Sequence, residues 1–131
     1  MLDINYNGVT LAYIGDAVME LAIRERLIAS GITDTGRLSG AAQKFICARA
    51  QSDAVEILRP LFTEEEEAAY KLGRNHHISG KPKHASVSEY SRATGLEAVF
   101  GFLHLKGESE RIRFLMEKAY DHKFMELTDK I

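Results

Sequence analysis

Tryptophan is absent from this chain, cysteine occurs once, proline occurs twice, and no apolar run approaches the ~20 residues of a membrane-spanning helix. Each absence excludes something. One cysteine, Cys47, cannot build a disulfide framework within the chain, and no Cys-His spacing of the zinc type accompanies it. It lies in an alternating apolar and polar stretch and reads as a buried structural thiol. Pro60 and Pro82 are too few for a proline-rich linker, and neither repeats nor low-complexity segments divide the chain, so residues 1–131 are expected to form a single domain. The first residues lack the basic, apolar, small-residue order of a secretory leader, so a cytoplasmic protein with no membrane partner is expected. No convincing strand alternation occurs anywhere.

What is present is helical periodicity, in a chain long enough to bury roughly two-thirds of its unfolded surface. From about residue 9 to 29 apolar side chains recur near a 3.6-residue period, with the main stripe through Ile14, Val18 and Leu21, until Gly31 stops the helix. Residues 37–58 continue the pattern as one bent helix or as two broken near Cys47, and Pro60 ends it. Thr63 followed by four glutamates is a capping-box start, best read as solvated, for a helix over 64–73. Ser86 or Ser88 caps a long helix reaching Leu105, Gly107 opens a turn, and Ile112, Leu115, Met116 and Tyr120 mark a last amphipathic helix. The expectation is an all-α helical bundle.

Two short segments break the helical economy. Leu11 to Val18 and Thr94 to Gly101 each set a carboxylate, Asp16 or Glu97, among apolar and small residues. Asp is a poor helix former, and a helical Gly costs up to about 1 kcal/mol relative to Ala. Two acids brought together by helices that pack through small residues would make a hard-oxygen site suited to Mg²⁺. Glu20 and Arg24 follow Asp16 on roughly the same side of the helix, so Glu20 is a third candidate ligand, or simply the partner of Arg24. Thr94, one turn before Glu97, is a candidate for bonding a metal-bound water, or for plain packing. Tyr90 reads as an interface or core aromatic, or a substrate contact.

Charge is segregated. Residues 68–88 hold Lys71, Arg74, Lys81 and Lys83 and none of the 19 Asp and Glu, although the whole chain carries a net −2. Residues 74–85 also lose helical periodicity and read as an ordered loop leading into the Glu97 helix. A cationic loop on an acidic domain suits a polyanion, or is a solvated surface loop.

The segments Ile14-Gly15-Asp16-Ala17 and Glu97-Ala98-Val99-Phe100-Gly101, in that order and at that separation, resemble the two signature segments of the ribonuclease III catalytic domain. The short chain, the form of the first segment and the Gly73-Arg74-Asn75 sequence resemble the Mini-ribonuclease III subgroup, which lacks a separate double-stranded RNA-binding domain. The resemblance covers about residues 8–118. It implies a ribonuclease III-type helical domain acting as a C2 homodimer, so that both strands of a duplex are cut. It also implies Mg²⁺-dependent hydrolysis of double-stranded RNA, with Mn²⁺ as a substitute, leaving 5′-phosphate and 3′-hydroxyl ends. The subgroup's substrate is the double-stranded end stem of precursor 23S ribosomal RNA, with room for an accessory ribosomal protein.

Carried onto this chain, Asp16 and Glu97 are the catalytic and metal-holding residues, supported by Gly15 and Thr94. Arg74, Asn75, Ser79, Lys81, Lys83 and His84 are the RNA contacts, consistent with duplex RNA being read by shape and backbone. His76 and His77 are expected beside RNA rather than on zinc. Small and apolar residues around Ile14, Gly15, Met19, Phe100 and Phe102 are candidates for the subunit interface, or for the monomer core.

The chain departs from the wider family twice. Ala12 and Thr94 stand where larger members have Glu and Asp, as is common in the subgroup. Two rival readings follow: a ribonuclease III-like RNA-binding dimer that has lost catalysis, and an unrelated helical metal-dependent phosphohydrolase acting on a small molecule. A long, acid-free, cationic loop argues against the second, and cleavage assays on duplex RNA, duplex DNA and single-stranded RNA separate all three.

Overall fold

The first helix, α1 (Gly8–Ala29), begins where the Asn7 side chain accepts a hydrogen bond from the Thr10 amide at 2.8 Å. Its buried face is Leu11, Gly15, Met19, Ile23 and Leu27. The expected stripe is therefore out of phase: Leu21 is exposed, and Ile14 and Val18 are only partly covered. The helix presents two apolar faces, and packing selected the one carrying Gly15, because only there can another backbone come close. This computed structural model describes residues 6–76 and 86–129.

After α1 the chain turns at Gly31, whose φ of +106° only glycine adopts without strain. The next stretch forms two helices, α2 (Thr35–Ile46), capped by Asp34, and α3 (Ala48–Leu58). They part at Cys47, whose extended backbone (ψ 156°) interrupts the helix. Cys47 is exposed, against the expectation of a buried thiol, because it sits at the surface break as the N-cap of α3. A 3₁₀ turn over Arg59–Leu61 carries Pro60.

Thr63 and Glu66 then form a reciprocal capping box that starts α4 (Glu64–Arg74). The glutamate run is not wholly solvated. Glu66 is buried and receives Arg111 at 2.8 and 2.9 Å, while Arg111 also donates to the Leu61 carbonyl at 2.8 Å. Glu67 binds Arg59, and Glu65 binds Lys106. The acids thus tie the start of α4 to the helices around it, which a local reading of four consecutive glutamates does not reveal.

Ser86 and Glu89 form a second capping box at the start of α5 (Val87–Leu105). From Ala93 to Leu103 this helix is buried on nearly every side, packed by α1, α4, α3 and α6. Such a helix reads as hydrophobic all round, and Glu97 is the acid set into it. Met19, Phe100 and Phe102 are core residues of this subunit, so they are not available as interface residues. Gly107, at φ +77°, turns the chain into α6 (Ser109–Asp129), whose Tyr120 and Phe124 pack on Phe45 of α2.

Among the described residues all regular structure is helical, and no helix is long and apolar enough to cross a membrane.

Candidate active site

The site is created where α1 crosses α5. A Cβ on Gly15 would overlap the Glu97 carbonyl, and one on Gly101 would overlap the Leu11 carbonyl, so the two backbones touch. The glycines that cost each helix propensity are what allow this approach. A similar seam joins α4 to α5, where a Cβ on Gly73 would lie 2.7 Å from the Thr94 carbonyl and one on Gly95 would lie 2.7 Å from the Tyr70 ring. Helix α5 is therefore packed closely between α1 and α4, and Glu97 lies on the stretch between these close approaches.

Asp16, next to Gly15, is carried by this crossing close enough to Glu97 for its charge to act on the Glu97 carboxyl group. The two acids differ in surroundings: Asp16 is exposed, and Glu97 is half-buried. Desolvation falls on Glu97 rather than on Asp16, because α1 turns Asp16 and Ala17 outward. Burial first, then the Asp16 charge, push the Glu97 carboxyl up to about 8, with a further push from Glu20. The polar side chain of Gln51 on α3 acts the other way and favours the charged form of Glu97.

That arrangement fits a hard cation. Two neighbouring carboxyl groups, one of them kept protonated near neutral pH by burial and a like charge, lack positive charge at that spot. A divalent ion supplies it and displaces the proton. Mg²⁺ requires only one or two carboxylates when waters and phosphate oxygens complete its shell. Among the described residues no group of three or more His, Cys, Asp or Glu is arranged to hold a metal. Glu20 is near enough to raise Glu97, yet its carboxylate accepts a hydrogen bond from Arg24 at 3.1 Å.

The other nominated residues divide by location. Thr94 precedes Glu97 by one turn, and its hydroxyl donates to the Tyr90 carbonyl at 3.0 Å. Ala12, at the position of a missing family carboxylate, is buried. Arg74 and Asn75 end α4, with the Arg74 Nε donating to the Asn75 Oδ1 at 3.1 Å and the guanidinium 5.4 Å from the centre of the Tyr70 ring. Ser79, Lys81, Lys83, His84 and His77 lie outside the described residues. Lys71 pairs with Glu67 at 3.7 Å. Sequence reasoning missed Gln51. Its signal was an amide flanked by Ala50, Ser52 and Ala54 on the inward face of α3.

Comparison with known proteins identifies the family of the chain. Residues 9–108 match the ribonuclease III domain family. A Mini-ribonuclease 3 of Streptococcus pneumoniae is 40% identical over 119 residues, which cover 88% of this chain and 93% of the relative. A Mini-ribonuclease 3 of Symbiobacterium thermophilum is 39% identical over 113 residues, covering 86% and 87%. The crystal structure of a protein from Fusobacterium nucleatum superposes with a TM-score of 0.83 at 28% identity, covering 91% of this chain and 95% of that one. The chain therefore belongs to the ribonuclease III family, within its Mini-ribonuclease 3 group, and is an endoribonuclease.

Proposed function

We propose that this endoribonuclease hydrolyses double-stranded RNA with Mg²⁺ held by Asp16 and Glu97, and that it trims the end stem of precursor 23S ribosomal RNA in the cytoplasm as a C2 homodimer. The observation that carries the reading is the approach of Asp16 to Glu97 across the Gly15–Gly101 crossing. A bound Mg²⁺ there supplies Lewis acidity toward a water and offsets charge building on the scissile phosphate.

The rest of the chemistry falls to the chain. Exposed Asp16 meets solvent and substrate, while half-buried Glu97 is fixed by its helix. Glu97 gives up its proton as the site fills and recovers it as the site empties. Gly15 holds the two helices at contact distance, and the Thr94 hydroxyl, already donating to Tyr90, keeps its lone pairs for a water. Glu20 joins as an outer ligand when Arg24 releases it. Arg74, Asn75, Ser79, Lys81, Lys83 and His84 grip the backbone beside the cut, by charge and by neutral hydrogen bonds. Products carry 5′-phosphate and 3′-hydroxyl ends.

Residues 1–131 act as one catalytic domain, and a duplex needs two of them. Tyr13, three residues before Asp16, is 82% exposed, and Val9 on the same helix is 40% exposed. Apolar exposure so close to the site supports a subunit contact there. A ribosomal protein that shapes the stem is a further expected partner.

The test is incubation of the purified protein with duplex RNA, duplex DNA and single-stranded RNA, with Mg²⁺, with Mn²⁺ and with EDTA. Cutting of duplex RNA alone, only with metal, and lost in Asp16→Asn at unchanged helicity and oligomeric state, is the expected result. Undiminished cutting by Asp16→Asn overturns the site assignment.

A further inference from the structure

The cations along α4 and beside it differ in how they are matched. Arg59 binds Glu67 at 2.8 Å, Lys71 shares that carboxylate at 3.7 Å, and Arg92 pairs with Glu56. Arg74, in the last turn of α4, pairs with no acid among the described residues. Its guanidinium instead donates from Nε to the Asn75 Oδ1 at 3.1 Å and stands over the Tyr70 ring, 5.4 Å from its centre. Tyr70 lies one turn earlier on α4, is 0% exposed, and packs its ring against Gly95 of α5, where an added Cβ would come within 2.7 Å of it. Arg59 stands over the same ring at 4.9 Å, but its charge is matched by Glu67. A guanidinium carries five N–H donors. With Nε given to Asn75, the Nη edge of Arg74 remains, and paired N–H groups of that kind suit phosphate oxygens.

We infer that Tyr70 is a positioning residue for the RNA grip: its buried ring seats the Arg74 guanidinium, and Asn75 sets its rotation, so that the Nη edge is presented to a backbone phosphate. This rests on the reading of Arg74 as an RNA contact. An arginine on a long flexible stem loses side-chain freedom when it binds, and one already seated on a ring loses less. The seat is electrostatic as well as steric, because the face of an aromatic ring attracts a cation within about 6 Å. Tyr70 is enclosed and takes no part in substrate contact, so its effect on RNA passes through Arg74.

The experiment compares Tyr70→Phe with protein carrying trifluorophenylalanine at position 70, each with Arg74 in place and with Arg74→Ala. Fluorine draws charge away from the ring face while shape and apolar area change little, so a role in packing alone is left undisturbed. Binding to duplex RNA is measured in EDTA, beside the melting temperature and steady-state cleavage with Mg²⁺. Relative to Tyr70→Phe, fluorination is expected to weaken RNA binding about two- to fivefold and to raise KM with kcat unchanged, in a protein that still folds. With Arg74→Ala the same replacement should leave binding where it was. Equal binding by the two ring variants overturns the inference alone, and so does an equal loss with and without Arg74, because the ring then acts through another group. Failure of the fluorinated protein to fold also overturns it, since the ring is then structural. Wild-type RNA binding by Arg74→Ala overturns the reading of Arg74 as an RNA contact and this inference with it.

Discussion

Gly15 of α1 lies so close to Glu97 of α5 that the Glu97 carbonyl occupies the space a Cβ at position 15 would need. That contact explains why a residue unfavourable to helices precedes Asp16. It sets the spacing of the two helices by close-packed backbone, where an added methyl group has no room.

Gly15→Ala is accordingly expected to separate the helices rather than to be absorbed. Overpacking against backbone should cost about 3 kcal/mol or more, read as a lower urea midpoint at unchanged slope. Activity should fall further than the folded fraction does. A variant with wild-type stability and cleavage would show that α1 and α5 do not meet this way.

Metal binding should depend on pH through Glu97. Burial and then Asp16 raise its carboxyl from the ordinary 4.5 to about 8, so metal-free protein takes up a proton that the ion must displace. Mn²⁺ affinity should therefore rise with pH, approaching about tenfold per unit below pH 8, and level off above it. Calorimetry in buffers of different ionisation enthalpy should report close to one proton released at pH 7. An affinity independent of pH between 6 and 8 contradicts this.

The same shift links to folding with the opposite slope. An acid whose pKa is higher folded than unfolded binds more protons in the native state between 4.5 and about 8, so metal-free protein loses stability as pH rises through that window. Glu97→Gln should flatten the dependence. Asp16→Asn should reduce it without abolishing it, because burial is the larger cause. Melting temperatures in EDTA from pH 5 to 8.5 make the comparison.

Arg111→Ala should be among the most destabilising single changes away from the site. It leaves Glu66, 2% exposed, as a buried charge without its bidentate partner, at an expected cost of about 3 kcal/mol. Replacing both residues by methionine should recover much of that loss. If Arg111→Ala melts with wild type, the pair is not formed in solution.

Lys81→Ala with Lys83→Ala tests the cationic loop from the sequence alone. Duplex RNA binding should weaken, and the slope of log K against log salt should become shallower by about one for each phosphate that is no longer neutralised. Mn²⁺ binding at Asp16 and Glu97 should not change. An unaltered salt slope removes these lysines from the RNA interface.

Helix limits were legible because their causes are local. Thr63 with Glu66, Ser86 with Glu89, Gly31 and Gly107 act within a turn or two of themselves, and each helix ends where those residues require. Asp16 and Glu97 stood out as candidates for a related reason: a carboxylate and glycines set in apolar helices contradict their own neighbourhood, and the contradiction is written in the chain. Which face of α1 is buried was not legible. Leu21 and Met19 are equally apolar, and the choice rests on the approach of Glu97's backbone to Gly15, more than 80 positions away along the chain. The partner of Glu66 and the exposure of Cys47 likewise depend on helices that meet only after folding. Short-range hydrogen bonding and backbone sterics declare themselves residue by residue. Desolvation and long-range pairing belong to the packed state, because only there is it settled which groups lose water together.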